Sequence, residues 1–116
     1  MNTVSSDTKL EEPAFEMVSK QLECLRANNI HDAFAYNSHA NQRRWCNASQ
    51  FIRVLKSHND FKRILHETPF LQEPTGTSSG VVNATFPDGR VLVWTCVVES
   101  VKENRAVWRT ERVGVQ

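Results

Sequence analysis

The chain has 116 residues, of which 14 are lysine or arginine and 13 are aspartate or glutamate, so its formal net charge is +1. This length fits one domain whose core holds without disulfides, and the charge lacks the basic excess that favours nucleic acid. The cysteines, Cys24, Cys46 and Cys96, have no CxxC spacing, which argues against a disulfide framework or a zinc ribbon. We expect no nucleic-acid partner, no metal and no cofactor.

The first eleven residues differ in character from those that follow. Residues 1–11 are mostly polar and show no apolar periodicity, which predicts a disordered tail before a single domain over 12–116. No stretch reaches the roughly 20 apolar residues of a membrane-spanning helix, and no apolar run of signal-peptide length opens the chain. We therefore expect a cytoplasmic protein with no membrane partner.

Residues 13–66 have the hydrophobic spacing of helices. Pro13 suits a first helical turn, and apolar residues at steps of three and four predict a helix that ends at Asn28-Asn29. A shorter apolar face predicts a second helix over 30–36, and a polar connection over 37–44 follows it.

A further helix is predicted to begin after Asn47. The Asn47 side chain, with Gln50 three residues later, has the spacing of a capping box. Apolar residues then continue at helical steps to residue 65, with a break at 59–60. Pro69 ends the helical part of the chain, and a first strand is predicted to begin at residue 70.

The remaining residues predict strands joined by tight turns. Residues 81–86 and 91–98 flank a turn that contains Asp88-Gly89, a strong hairpin signal. A second hairpin is predicted around residues 102–105, with the strand from residue 91 in the middle of the sheet because it is apolar on both faces. In the last strand, alternation places Trp108, Thr110 and Arg112 on one face. Helices followed by strands predict an α+β fold, with N-terminal helices packed on an antiparallel sheet of about four strands.

Several stretches resemble the nuclear transport factor 2-like superfamily, and within it an uncharacterised family found in bacteria and plants. These are residues 17–29 (MVSKQLECLRANN), 32–36 (DAFAY), 51–55 (FIRVL) and 106–110 (AVWRT). The resemblance implies a cone, in which a curved sheet wraps the helices and encloses a cavity. Residues 39–45 (HANQRRW) depart from it, because that family has small residues and prolines there.

The aromatic residues are candidates for the wall of such a cavity. Large rings with a polar atom are useful in a pocket wall, although each also suits a packed core; the candidates are Tyr36, Trp45, Trp94 and Trp108. Arg43 and Arg44 could bind an anion or a partner, or form an ordinary solvated surface.

Candidates for acid-base chemistry are weaker. Glu99 interrupts an apolar strand and could project into the cavity, but a solvated carboxylate at a fraying strand end explains it equally. His31 and Asp32 open the second helix, where the helix dipole alone explains an acid.

The sequence therefore predicts a small binding or interaction module with a hydrophobic ligand pocket. Valines on the outer face of the sheet, together with Trp108 or Val107, would form an apolar patch and predict a homodimer. The alternative is an isomerase, dehydratase or hydrolase that acts on a small apolar substrate in the cone. A subunit of a larger assembly, with Arg43-Arg44 as the contact, is a third hypothesis.

Overall fold

The structure is a computed structural model, and it describes residues 9–74 and 80–116. Within these residues, four α-helices and a 3-10 helix lie before four antiparallel strands, which confirms the predicted α+β fold. Residues 1–8 of the predicted tail and residues 75–79 lie outside the described residues. The helices are α1 Ala14–Arg26, α2 Ile30–Ala35, α3 His39–Trp45, α4 Ala48–Ser57 and the 3-10 helix Phe61–Leu65, and the strands are β1 Lys9–Leu10, β2 Phe70–Gln72, β3 Val81–Thr85, β4 Val91–Lys102 and β5 Arg105–Val115.

The five strands form one sheet in the order β1-β5-β4-β3-β2. Strands β2 to β5 are antiparallel neighbours, and β4 lies between β3 and β5 as predicted. Strand β1 is parallel to β5, with Leu10 opposite Ala106. The end of the segment predicted to be a tail is therefore paired to the sheet at Lys9–Leu10.

Helix α1 follows the sequence prediction closely. The carbonyl of Pro13 accepts from the backbone amides of Glu16 and Met17, so proline stands where no amide donor is needed. The helix ends at Arg26, and Asn28 has a φ of 60°, the left-handed conformation that asparagine tolerates after a helix.

Helix α3 lies where the sequence predicted a polar connection. The prediction for residues 37–44 is wrong because a short helix needs no apolar stripe when its first turn is well capped. The Ser38 side chain accepts from the backbone amide of Asn41 at 3.1 Å. Helix α4 begins as predicted, with Asn47 accepting from the amide of Gln50 at 2.9 Å.

The predicted hairpins are both present. Gly89 has a φ of 90° in the β3–β4 turn, and Asn104 has a φ of 61° in the β4–β5 turn. Strand β5 departs from strict alternation, because Cys96 is opposite Thr110 while Thr95 is opposite Arg112. The residue between them, Glu111, forms a bulge that shifts the phase of the strand.

This bulge corrects the predicted faces of β5. Beyond it, Val113 rather than Arg112 is the partner of Trp94. The buried core lies between the helices and the sheet face that carries Trp94, and it combines apolar residues of α1 and α4 with alternate residues of β3 and β4. Its members include Val18, Leu22, Leu55, Val82, Leu92 and Trp94.

Candidate functional site

A cavity of about 270 Å³ lies beside this core. Residues from α1, α3, α4, the 3-10 helix, β4 and β5 line it, so all the layers of the fold contribute to its wall. Most of the wall is aromatic or aliphatic, formed by Leu25, Trp45, Phe51, Val54, Leu55, Phe61, Ile64, Trp94 and Val113.

The polar part of the wall is a cluster of buried neutral side chains, which we call the amide cluster: Gln21, Asn37, Asn41 and Thr110. Gln21 lies at its centre. Its Oε1 accepts from the Thr110 hydroxyl at 2.6 Å and from the Trp94 indole N–H at 3.3 Å. Its Nε2 donates to the Ala33 carbonyl at 3.0 Å and to Asn37 Oδ1 at 3.2 Å. This one side chain thus links α1 to α2, β4 and β5.

Asn41 extends the amide cluster to the surface. Its Nδ2 also donates to Asn37 Oδ1 at 3.2 Å, while its Oδ1 accepts from Nη1 of Arg44 at 3.0 Å. Arg44 is exposed, so a chain of hydrogen bonds connects the buried amide cluster to a guanidinium at the surface. Arg112, which is also exposed, is the second arginine of the cavity wall.

The Asn37 side chain has one unused group. Asn37 is fully buried, and its Nδ2 has no hydrogen-bond partner. Buried amide nitrogens are almost always paired, and an unpaired one costs about 1–3 kcal/mol. Because Asn37 lines the cavity, this donor is a candidate ligand contact.

The backbone around Asn37 is held against strand β5. The Thr110 amide donates to the Tyr36 carbonyl at 2.8 Å, and the Ser38 amide donates to the Thr110 carbonyl at 2.8 Å. These two bonds form an isolated parallel bridge between Asn37 and Thr110. The chain between α2 and α3 is therefore fixed to the sheet at the residue where the amide cluster begins.

The structure separates the four aromatic residues that were predicted to bind a ligand. Trp45 and Trp94 line the cavity. Tyr36 instead lines a second depression with Cys24, Asp32, Ala35 and Arg109, and the Arg109 guanidinium lies 5.9 Å from the Tyr36 ring centre. Trp108 is buried against Gly80 and is not among the lining residues of the cavity.

The paired arginines are also separated. Arg44 lines the cavity, whereas Arg43 is exposed and lies outside the lining. The two neighbours in sequence therefore offer a matched comparison between a cavity arginine and a surface arginine.

The acid-base candidates lie away from the cavity. Glu99 accepts from the backbone amide of His39 at 2.9 Å, which places its carboxylate at the start of α3. Asp32 accepts from the Asn29 side chain at 2.8 Å and lines the second depression, and His31 is exposed. None of these three lines the cavity, so the structure does not bring them together with Trp45 and Trp94.

The thiols are free and dispersed. Burial, with a smaller contribution from Glu73, raises the pKa of Cys96 to about 12, so this thiol stays protonated and packs as a small apolar group. Burial also raises the pKa of Cys24. Among the residues that the structure describes, no group of three or more His, Cys, Asp or Glu side chains is arranged to hold a metal ion. No helix in the same part of the chain has the length and apolarity to cross a bilayer.

The amide cluster was not among the sequence predictions. Gln21 carried the one available signal, because it lies four residues after Met17 and four before Leu25 on the buried face of α1. A polar residue on an otherwise apolar helix face needs a buried partner. Asn37, Asn41 and Thr110 gave no such signal, since polar residues in connections and strands are ordinarily solvated.

Comparisons with protein-family models, curated proteins and solved structures found no match to this chain.

Proposed function

We propose that this chain is a small binding module that holds an apolar small molecule in the cavity between its helices and its sheet. The observation that supports this proposal is the composition of the wall, in which aromatic and aliphatic side chains surround a compact group of neutral polar residues. Ligand sites have this character, mostly apolar with a few polar groups that fix orientation. The proposal includes the nuclear transport factor 2-like fold, and the order of N-terminal helices followed by antiparallel strands supports it.

The lining favours binding over catalysis. A general acid or base must gain or lose a proton near neutral pH. The polar groups of the wall are the amides of Gln21, Asn37 and Asn41, the Thr110 hydroxyl and two guanidiniums, none of which does so. Among the described residues that line the cavity there is no carboxyl, imidazole or thiol group.

The proposal is tested by titrating isotope-labelled protein with toluene and with 1-octanol, followed by NMR. We expect saturable shifts of the Trp94 indole N–H and of the Gln21 and Asn41 side-chain amides. Val54→Trp should abolish them, because Val54 lines the cavity and is only half-buried, so a large ring can enter the space.

Gln50→Trp is the control for this experiment. It adds the same ring to the same helix at an exposed position, and it should leave the shifts intact. Failure of both probes to bind, or shifts located on the outer face of the sheet, would contradict the proposal.

A second part of the proposal is self-association through the outer face of the sheet. Along β3 and β4, alternate residues are buried and those between them remain partly exposed, including Val93, Val97 and, on β5, Val107. Two copies related by a twofold axis would cover these valines with the same patch on each partner.

Light scattering should then give twice the 13.3 kDa mass of the chain. Val93→Lys should return the mass to that of a monomer. Phe15→Lys should not change it, because Phe15 is 38% exposed on α1, which packs against the opposite face of the sheet. A monomeric mass for the unmodified protein at high concentration would show that this face is not an interface.

A further inference from the structure

We propose that the ligand of this cavity is an apolar monocarboxylic acid, whose carboxylate is bound by Arg44 and the side-chain amide of Asn37. This inference rests on the proposed function and adds the chemical class of the ligand. Its basis is the balance of donors, acceptors and charges in the wall.

The orientation of the Asn37 amide is fixed by its neighbours. Asn37 Oδ1 accepts from two different donors, Gln21 Nε2 and Asn41 Nδ2, each at 3.2 Å. The reverse orientation would place an NH₂ group against two other NH₂ groups, so the oxygen must face them. The two N–H bonds of Asn37 Nδ2 are therefore the group left unpaired in the buried wall.

The side-chain amide oxygens of the amide cluster each already accept a hydrogen bond. Gln21 Oε1 accepts from the Trp94 indole and from the Thr110 hydroxyl. Asn41 Oδ1 accepts from Arg44, and the Thr110 carbonyl accepts from the Ser38 amide and from Asn41 Nδ2. The cluster thus presents a spare donor, and a ligand that supplies an acceptor would remove the cost of leaving that donor unpaired.

The charges of the wall select an anionic acceptor. Arg44 and Arg112 both line the cavity, and no acidic residue is among its described lining residues. Glu111, which lies between the lining residues Thr110 and Arg112 in sequence, accepts from the Ser38 hydroxyl and is not part of the wall. Guanidinium groups match the planar geometry of carboxylates and bind them more strongly than neutral acceptors.

The volume limits the apolar part of the ligand. An apolar cavity of about 150 Å³ accommodates benzene, whereas this one measures about 270 Å³. It therefore has room for a chain of about eight carbons or for a phenyl ring with a short side chain. Trp45, Phe51 and Trp94 supply the surface against which such a body would pack.

The test compares octanoate, 1-octanol and octylamine by calorimetry at neutral pH. These probes have the same chain and differ in the charge and hydrogen bonding of the head group. We expect octanoate to bind at least about tenfold more tightly than either of the others, since a charge-assisted hydrogen bond to a guanidinium is worth about one factor of ten or more. The Asn37 side-chain NH₂ signal should shift when octanoate binds.

Arg44→Gln should weaken the affinity for octanoate about tenfold and leave the affinity for 1-octanol within about twofold of that of the unmodified protein. Arg43→Gln is the matched control, because Arg43 is the adjacent exposed arginine outside the wall. It should change neither the affinity for octanoate nor the affinity for 1-octanol. If Arg44→Gln fails to fold by circular dichroism, the ratio of octanoate to 1-octanol affinity for the unmodified protein decides the question.

The outcomes separate this inference from the proposed function. Equal binding of octanoate and 1-octanol, or equal effects of Arg43→Gln and Arg44→Gln, would overturn the carboxylate preference while the apolar site stands. Tighter binding of octylamine would overturn it in the same way. Absence of binding by all three probes and by toluene would overturn the proposed function and this inference together.

Discussion

Two polar clusters in this molecule differ in charge and in exposure. The amide cluster is neutral and buried, with Gln21 at 2% exposure. The second, which we call the ion-pair cluster, consists of Arg63, Glu67 and Asp88. Its Arg63 Nη2 lies 2.9 Å from a Glu67 oxygen and its Nη1 3.0 Å from an Asp88 oxygen, with the guanidinium 4.3 Å from the Phe86 ring centre.

The difference lies in what replaces a lost partner. Water can take the place of Arg63 at the Asp88 side chain, which is 60% exposed, so exposed ion pairs contribute little net stability. Water does not reach the partners of Gln21 in the same way, and a broken bond there leaves a buried group unsatisfied. The two clusters are both held by good hydrogen bonds, but only the amide cluster is expected to be costly to disturb.

The largest effect is expected for Gln21→Leu. This change keeps the approximate volume and leaves the Trp94 indole and the Thr110 hydroxyl without their common acceptor. We expect the free energy of unfolding, measured in urea, to fall by about 3 kcal/mol or more.

Gln50→Leu is the control for that change, because Gln50 is an exposed glutamine. It should alter the free energy of unfolding by no more than about 0.5 kcal/mol. Equal losses for the two variants would break the contrast between buried and exposed polar groups.

An intermediate effect is expected when the helix caps are compared. Ser38 is buried and caps α3 while its hydroxyl donates to Glu111, whereas Asn47 is exposed and caps α4 alone. Asn47→Ala should cost about 1 kcal/mol, and Ser38→Ala should cost about 2 kcal/mol because it also removes the partner of Glu111. Thermal unfolding of both variants would measure the difference, and a larger loss for Asn47→Ala would contradict it.

The smallest change in the free energy of unfolding is expected from Arg63→Gln, and this change depends on pH. The hydrogen bond from Arg63 lowers the pKa of Glu67 below its usual 4.5, and the Arg90 backbone amide, followed by Arg63, lowers the pKa of Asp88 below its usual 3.8. Because these folded-state pKa values are depressed, the stabilisation is complete above the usual values and is lost as the pH falls through the lowered ones.

The unmodified protein should therefore exceed Arg63→Gln in stability at neutral pH, and the gap should shrink between about pH 5 and about pH 3. Urea unfolding at a series of pH values measures this gap. Arg53→Gln, at an exposed position of α4, should show no such narrowing. A gap that widens in acid would have the wrong sign for this cluster.

Local signals in the sequence predicted much of the fold. The apolar stripe of α1, the cap at Asn47 and the Asp88-Gly89 turn each depend on residues a few positions apart, and each was predicted at its place. Helix α3 was missed because its residues are polar, and the bulge at Glu111 was missed because it depends on pairing with β4.

The candidate site was less accessible to sequence reasoning. Trp45 and Trp94 were predicted as wall residues and do line the cavity, but the same reasoning gave Tyr36 and Trp108, which do not. The amide cluster joins Gln21 to Thr110 across 89 positions of the chain. Such a contact follows from how the sheet packs on α1, and no spacing within the sequence encodes it.

The bonds that hold residues 36–38 against β5 also protect the border of the sheet. An uncovered border strand is a template for pairing with other chains, but β5 already has β1 beside Arg105 and Ala106 and the Asn37 bridge beside Thr110. At the opposite border, β2 has only three residues and follows Pro69, which has no amide to donate. Strand addition and fibre growth are thereby discouraged at both borders.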